Sequence, residues 1–229
     1  MALILNIDTS SPVCSVCLAE NGKVIAEHNE QSETRHASHL AAYIGGLIQR
    51  SGANISDLAA VAVSSGPGSY TGLRIGISVA KGICYAIDKP LIAVPTLQGL
   101  GYIMSISHPD PLGIYIPMLD ARRQDVYMAI YDRKNNIIEK DNFATVNIDF
   151  IDNLARYNVK NIYFGGPGVK KTLLTDFNNK FGTVIENLIC VASNINTISY
   201  NLFVSKGFKE LTNFEPFYLK EFEGRIKAN

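Results

Sequence analysis

Apolar and polar positions along the chain mark out most of its elements. Leu3-Ile-Leu-Asn-Ile-Asp8 is a short apolar run ending on an acid, the form of a buried strand. Residues 13–20 alternate with period two, Asn21-Gly22 is a hairpin turn, and 23–29 alternate again. Near residue 37 the period becomes helical: Leu40, Ile44, Leu47 and Ile48 share a face until Ser51-Gly52 stops the pattern. An apolar strand at 58–63 then breaks into a loop with Gly66, Pro67, Gly68 and Gly72, and about four proline-free helical turns follow over 71–87. A strand at 90–94 and a helix at 96–105 close the first half.

Ser107-His-Pro-Asp-Pro-Leu-Gly113 reads as a linker, after which the pattern repeats. Strands are expected at 114–119, ending on Asp120, and at 126–132 and 137–144, with turns at 121–124 and Asn135-Asn136. Asp8 and Asp120 stand 112 residues apart, and at that offset Val16 meets Met128, Leu18 meets Ile130 and Ile25 meets Ile137. Ile162-Tyr-Phe-Gly-Gly-Pro-Gly168 likewise echoes Val63-Ser-Ser-Gly-Pro-Gly68. The expectation is an α/β protein of two related lobes, each β-β-β-α-β-α-β-α around a mixed sheet. The lobes would be residues 1–106 and 107–229, the second leaner, faintest over 177–196, with a polar, loosely held tail over 213–229.

Composition narrows this picture. The chain has 229 residues, 47% hydrophobic and 18% charged, with net charge zero. That describes a soluble, well-buried protein and argues against one that grips nucleic acid unaided, which needs a surplus of Lys and Arg. The apolar run at 2–7 is too short for a secretory signal and no run reaches membrane-spanning length, so the expected location is cytoplasmic. The four cysteines read as free thiols. Cys14-Ser-Val-Cys17 matches C-x-x-C, but strand positions three apart face opposite ways, against a shared metal.

The helix over 71–87 has an unusual surface. Gly72, Gly76 and Ala80 recur at i, i+4 and i+8, a ridge with almost no side chain, although each helical glycine costs about 1 kcal/mol relative to alanine. Close packing on its own sheet and a partner helix lying in the groove both explain the ridge. The helix over 37–50 has a second small-residue surface in Ala41, Ala42, Gly45 and Gly46. On the partner reading, these residues with Tyr70, Gly72, Leu73, Gly76, Ile77 and Ala80 form a docking face.

Ser64-Ser-Gly-Pro-Gly-Ser-Tyr-Thr-Gly-Leu-Arg-Ile-Gly-Ile-Ser-Val-Ala-Lys-Gly82 resembles the long signature of the TsaB (YeaZ) family. Ile7-Asp8-Thr9-Ser10 and the closing Pro216-Phe-Tyr-Leu-Lys220 resemble its opening and its Pro-x-Tyr-Leu-Arg ending. The resemblance implies an actin-like ATPase (ribonuclease H-like) fold. It also implies a non-catalytic part in making threonylcarbamoyladenosine on tRNA, at the adenosine beside the anticodon. The implied partners are the homologous catalytic subunit TsaD and the ATPase TsaE, with homodimers when the chain is alone.

In active ATPases of that fold, acids placed like Asp8 and Asp120 hold magnesium and the attacking group. The turns behind them, Thr9-Ser10-Ser11 and Ala121-Arg122-Arg123, lack the glycine usual there. Any nucleotide site, weak or shared with a partner, would use Asp8, Thr9, Ser10, Asp120, Arg122, Gly165, Gly166 and Gly168. The alternative is that both acids cap turns and the glycines serve a strand-to-helix bend. No resident cofactor or metal is expected; His36 and His39 stand at i, i+3, where TsaD has a metal pair at i, i+4. Ser65 and Ser69 lack a G-x-S-x-G elbow, and no G-K-[ST] follows the glycines, against protease and P-loop readings. A small ATPase or kinase of the same fold is the rival reading.

Overall fold

Strands β1 (Leu3–Asp8), β2 (Val13–Glu20) and β3 (Lys23–Gln31) form an antiparallel meander. Strands β4 (Ala60–Ser64) and β5 (Leu91–Val94) join in parallel beyond β1, giving the order β3-β2-β1-β4-β5. The structure is a computed structural model describing residues 1–31, 36–157, 159–171 and 182–219. Strand β1 is buried on both faces, which explains its unbroken apolar run. Leu3, Leu5 and Ile7 pack on one side with helices α1 (His36–Ser51) and α2 (Tyr70–Ile87), while Ile4 packs on the other.

The second sheet repeats the plan. Strands β6 (Gly113–Asp120), β7 (Asp125–Tyr131), β8 (Ile137–Thr145), β9 (Asn161–Gly165) and β10 (Thr183–Ile185) take the order β10-β9-β6-β7-β8. The internal repeat is therefore a repeat of topology. Helix α4 (Ile148–Leu154) covers part of this sheet; residues 172–181, which include the first residues of the faint stretch over 177–196, lie outside the described residues.

A division at residue 106 does not divide the packing. Helix α3 (Thr96–Ser107) lies on the second sheet, where Leu97 and Leu100 join Leu119, Ala129 and Tyr131. Helix α5 (Asn196–Val204) returns to the first, where Ile195 and Ile198 join Ile4, Ala60, Ala62, Ile92 and Val94. Ser199 Oγ donates to Asn6 Oδ1 at 2.6 Å and the Ala192 amide to Ser15 Oγ at 2.7 Å, both buried. Periodicity reports that a helix has an apolar face, not which sheet it covers, so this exchange was hidden. The proline-rich linker is also tied down: Tyr115 Oη donates to the His108 carbonyl at 2.6 Å, and Tyr163 Oη to Asp110 Oδ2 at 3.1 Å.

The tail differs from expectation over 213–219. The Lys209 amide donates to the Leu91 carbonyl at 2.8 Å, and the Phe217 amide to Ser65 at 2.8 Å. Lys81 Nζ donates to the Phe214 carbonyl at 3.1 Å, and Arg74 Nε to Tyr218 Oη at 3.0 Å. The segment is a strap across α2, held by backbone groups and by the Lys81 and Arg74 side chains, contacts that hydropathy does not register. Residues 220–229 lie outside the described residues.

One buried pair in the second lobe carries a pH prediction. Tyr131 is almost wholly buried and hydrogen-bonds Asp141 on β8. Burial raises the Asp141 carboxyl to about 6, outweighing the Tyr131 hydrogen bond. The folded form then holds the proton more tightly than the unfolded form, so stability falls as pH rises from about 4 through 6. Asp141→Asn is expected to stabilise by on the order of 1–3 kcal/mol at pH 7.5 and by little at pH 4.5. Thermal melts at the two pH values check this; equal effects at both would contradict it.

Candidate functional site

The long glycine motif lies where β4 ends and α2 begins, and its position explains its composition. Ser69 caps α2, its side chain accepting from the Gly72 amide at 3.2 Å. The Ser69 amide donates to the Ser10 carbonyl at 2.7 Å, and Thr9 Oγ1 donates to the Gly72 carbonyl at 2.7 Å. The turn after β1 thus lies directly on the first two turns of α2. A Cβ built on Gly68 would sit 2.5 Å from the Ser10 carbonyl oxygen. One on Gly72 would fall under 3.0 Å from the Thr9 carbonyl oxygen, and one on Gly76 under 3.0 Å from Thr9 Oγ1. Real Cβ atoms do not approach so closely, so this ladder makes room for Thr9 and Ser10.

The ridge therefore faces inward. Gly72, Leu73, Gly76, Ile77 and Ala80 are buried within the chain, Gly72 and Gly76 against Thr9 and Ile77 and Ala80 in the core of the first sheet, and leave no open groove for a partner helix. The other docking residues stay at the surface: Ala41, Ala42 and Gly45 are exposed, and Gly46 and Tyr70 half-buried. On α2 the outward strip is Thr71, Arg74, Ser78, Gly82 and Tyr85, all exposed. Sequence alone hides this strip, because Arg74, Ser78 and Gly82 repeat at the same i, i+4, i+8 spacing without a glycine at every step. A Cβ built on Gly45 or Gly82 would meet nothing within 4 Å.

Asp8, Thr9, Ser10 and Ser11 are all buried. Asp8 Oδ1 accepts from the Ser10 amide at 2.9 Å and from Ser10 Oγ at 2.6 Å, a turn cap. In the second lobe, Asp120 is exposed and accepts from the Arg122 amide at 2.8 Å. Arg122 and Arg123 stand exposed at the hairpin tip with φ of 67° and 50°, a left-handed pair without glycine. Gly165, Gly166 and Gly168 do not form an open cradle. The Gly168 amide donates to the Met118 carbonyl at 2.9 Å, and Cβ atoms on Gly166 and Gly168 would press on Met118 and Leu119 of β6. The eight nucleotide candidates thus divide into a closed turn, a packed bend and an exposed hairpin.

The cysteines and histidines follow the sequence in part. Cys14 packs with α1 and α2 while Cys17 packs on the opposite face against Ala192. Burial pushes the Cys14 thiol up to about 11 and Cys17 to about 12, away from the thiolate that a metal needs. His39 Nδ1 lies 2.7 Å from Ser38 Oγ and its ring 5.8 Å from that of Tyr43; the His36 side chain lies outside the described residues. Among the described residues no group of three or more His, Cys, Asp or Glu could hold a metal. Among them, too, no helix is long and apolar enough to cross a membrane.

Two five-stranded mixed sheets of one topology, with exchanged helices and an acid-capped turn after each first strand, define the class: a two-lobed actin-like ATPase fold whose first such turn is closed by its own helix. A family model described as TsaD, tRNA N6-adenosine threonylcarbamoyltransferase, matches residues 23–224. The tRNA threonylcarbamoyladenosine biosynthesis protein TsaB of Bacillus subtilis is 35% identical over 137 residues, covering 60% of this chain and 58% of that protein. TsaB of Escherichia coli is 35% identical over 133 residues, covering 58% and 56%. YeaZ from Pseudomonas aeruginosa superposes with a TM-score of 0.77 at 24% identity, over 96% of this chain and all of that one. The chain belongs to the TsaD/TsaB family, and within it to the TsaB (YeaZ) members. It spans just over half the length of the curated relatives it matches.

Proposed function

We propose that this chain is a non-catalytic, cytoplasmic subunit in threonylcarbamoyladenosine formation on the adenosine beside the anticodon of tRNA. It docks on a TsaD-type catalytic subunit through the outer faces of α1 and α2, works with a TsaE-type ATPase, and pairs with itself when alone. It has no resident cofactor, and any ATP or ADP is held weakly or shared with those partners.

The observation that carries this reading is the closed turn after β1. Actin-like ATPases place a phosphate there, and here Thr9 and Ser10 are buried on the Gly68-Gly72-Gly76 ladder with Asp8 engaged as a cap. Outside that closed turn, Ala41, Ala42 and Gly45 on α1 and Ser78 and Gly82 on α2 are small and exposed, as close helix approach requires. The test is tRNA modification reconstituted from TsaD-type and TsaE-type subunits with and without this chain. Modification that requires the chain, together with no tight ATP binding by the chain alone in calorimetry, is the expected result. Tight, magnesium-dependent ATP binding by the isolated chain would overturn it in favour of a small ATPase or kinase.

A further inference from the structure

The strap does more than cover α2: it builds a surface at one end of the outward strip. Arg74 lies over the Tyr70 ring, with its guanidinium carbon 4.3 Å from the ring centroid, and its Nε donates to Tyr218 Oη at 3.0 Å. The Tyr70 and Tyr218 rings are themselves 4.8 Å apart. A long side chain that would otherwise sample many rotamers is thereby fixed by an aromatic face and one hydrogen bond. The bond uses Nε; among the described residues the two terminal nitrogens make no hydrogen bond, and Arg74 is exposed. A guanidinium held by its inner nitrogen presents its outer pair to a planar, two-oxygen acceptor.

Charge on the neighbouring surface decides what kind of acceptor fits. The strip beside Arg74 is small and uncharged at Ser78 and Gly82, and so is α1 at Ala41, Ala42 and Gly45. Lys81, the next cation along α2, is turned aside, its Nζ donating to the Thr212 and Phe214 carbonyls of the strap. Glu215 of the strap lies near enough to favour the charged guanidinium and offsets part of its field. A phosphate backbone is gripped by several cations in a row; one pinned arginine beside a neutral face of small residues suits a protein surface with a single acid. Arginine and tyrosine are the residue types that dominate binding energy at such surfaces.

We infer that Tyr70, Arg74 and Tyr218 form an anchor that binds a carboxylate side chain of the protein covering the α1–α2 face. The strap thereby belongs to the docking surface although it lies far along the chain. This rests on the docking reading above. Binding of a TsaD-type subunit is measured for the wild type, Arg74→Ala, Arg74→Lys, Tyr218→Phe and Gly82→Trp, with melting temperature as a control. Arg74→Ala is expected to weaken the complex at least tenfold while lowering the melting temperature by no more than Tyr218→Phe does, which loses the same hydrogen bond to the strap. Arg74→Lys should lose nearly as much, because the fork is gone although the charge stays. Tyr218→Phe, which keeps the ring, should fall between them and the wild type. Added salt should weaken wild-type binding more than that of Arg74→Ala.

If Gly82→Trp abolishes the complex while Arg74→Ala leaves it unchanged, the anchor is wrong and the docking face stands. If neither matters, or the wild type does not bind, both fail. If Arg74→Ala spares the protein complex but lowers its affinity for tRNA, the acceptor is a phosphate and the carboxylate assignment is overturned.

Discussion

Replacing Gly72 with alanine is expected to cost roughly 3 kcal/mol or more, while the same change at Gly82, ten residues along the same helix, is expected to stabilise the fold by up to about 1 kcal/mol. The opposite signs come from the two sides of α2. A methyl group at Gly72 would run into the backbone carbonyl of Thr9, which cannot turn away because Thr9 is wholly buried. Parting the turn from the helix would also break the bonds from Thr9 Oγ1 to the Gly72 carbonyl and from the Ser69 amide to the Ser10 carbonyl. At Gly82 a methyl group meets nothing within 4 Å and adds only helix propensity. Gly76→Leu belongs with Gly72: its side chain would press on Thr9 Oγ1, so it too is expected to destabilise the fold. Urea unfolding of the variants measures the difference; equal losses at 72 and 82 would show that both sides of the helix are packed.

Gly82→Trp is expected to abolish docking on a TsaD-type subunit, at least a hundredfold in affinity, while leaving the chain folded. An indole at an open point of the strip keeps two helix axes from approaching to the 8–10 Å at which helices pack. The free chain has room for it, because Gly82 is exposed and nothing borders its Cβ direction. Analytical size exclusion of the mixture and a melt of the variant alone give the two readouts. A folded variant that still forms the full complex would move the docking face elsewhere.

Much of the architecture was legible because each element carried its own signal. The double-sided burial of β1 shows in Leu3-Ile-Leu-Asn-Ile, and α1 in the spacing of Leu40, Ile44 and Leu47. The opposed faces of Cys14 and Cys17 followed from strand period alone. What escaped were relations between distant segments. Nothing local tells that Leu97 packs on the second sheet or that Ile198 returns to the first. The same blindness left the glycine ridge undecided. Of the two explanations the spacing leaves open for Gly72 and Gly76, close packing and a partner helix, the first holds: they make room for Thr9, which lies 63 residues before Gly72. The missing glycine in the Thr9-Ser10 turn was the available clue: the space a small residue leaves at a phosphate is supplied here by the opposing helix and filled by the turn itself. Arg74 and Tyr218 lie in the two family-like motifs, but their pairing across the strap depends on a guanidinium and a hydroxyl 144 residues apart meeting in space.

Hydrogen exchange read by mass spectrometry tests the central claim most directly, on the chain alone, with magnesium–ATP, and with a TsaD-type subunit. Slow exchange at 8–11 in the free chain, unchanged by nucleotide, with new protection over 38–46 and 78–86 only when the subunit is added, is the predicted result. Fast exchange at 8–11 that becomes slow on adding magnesium–ATP would contradict it.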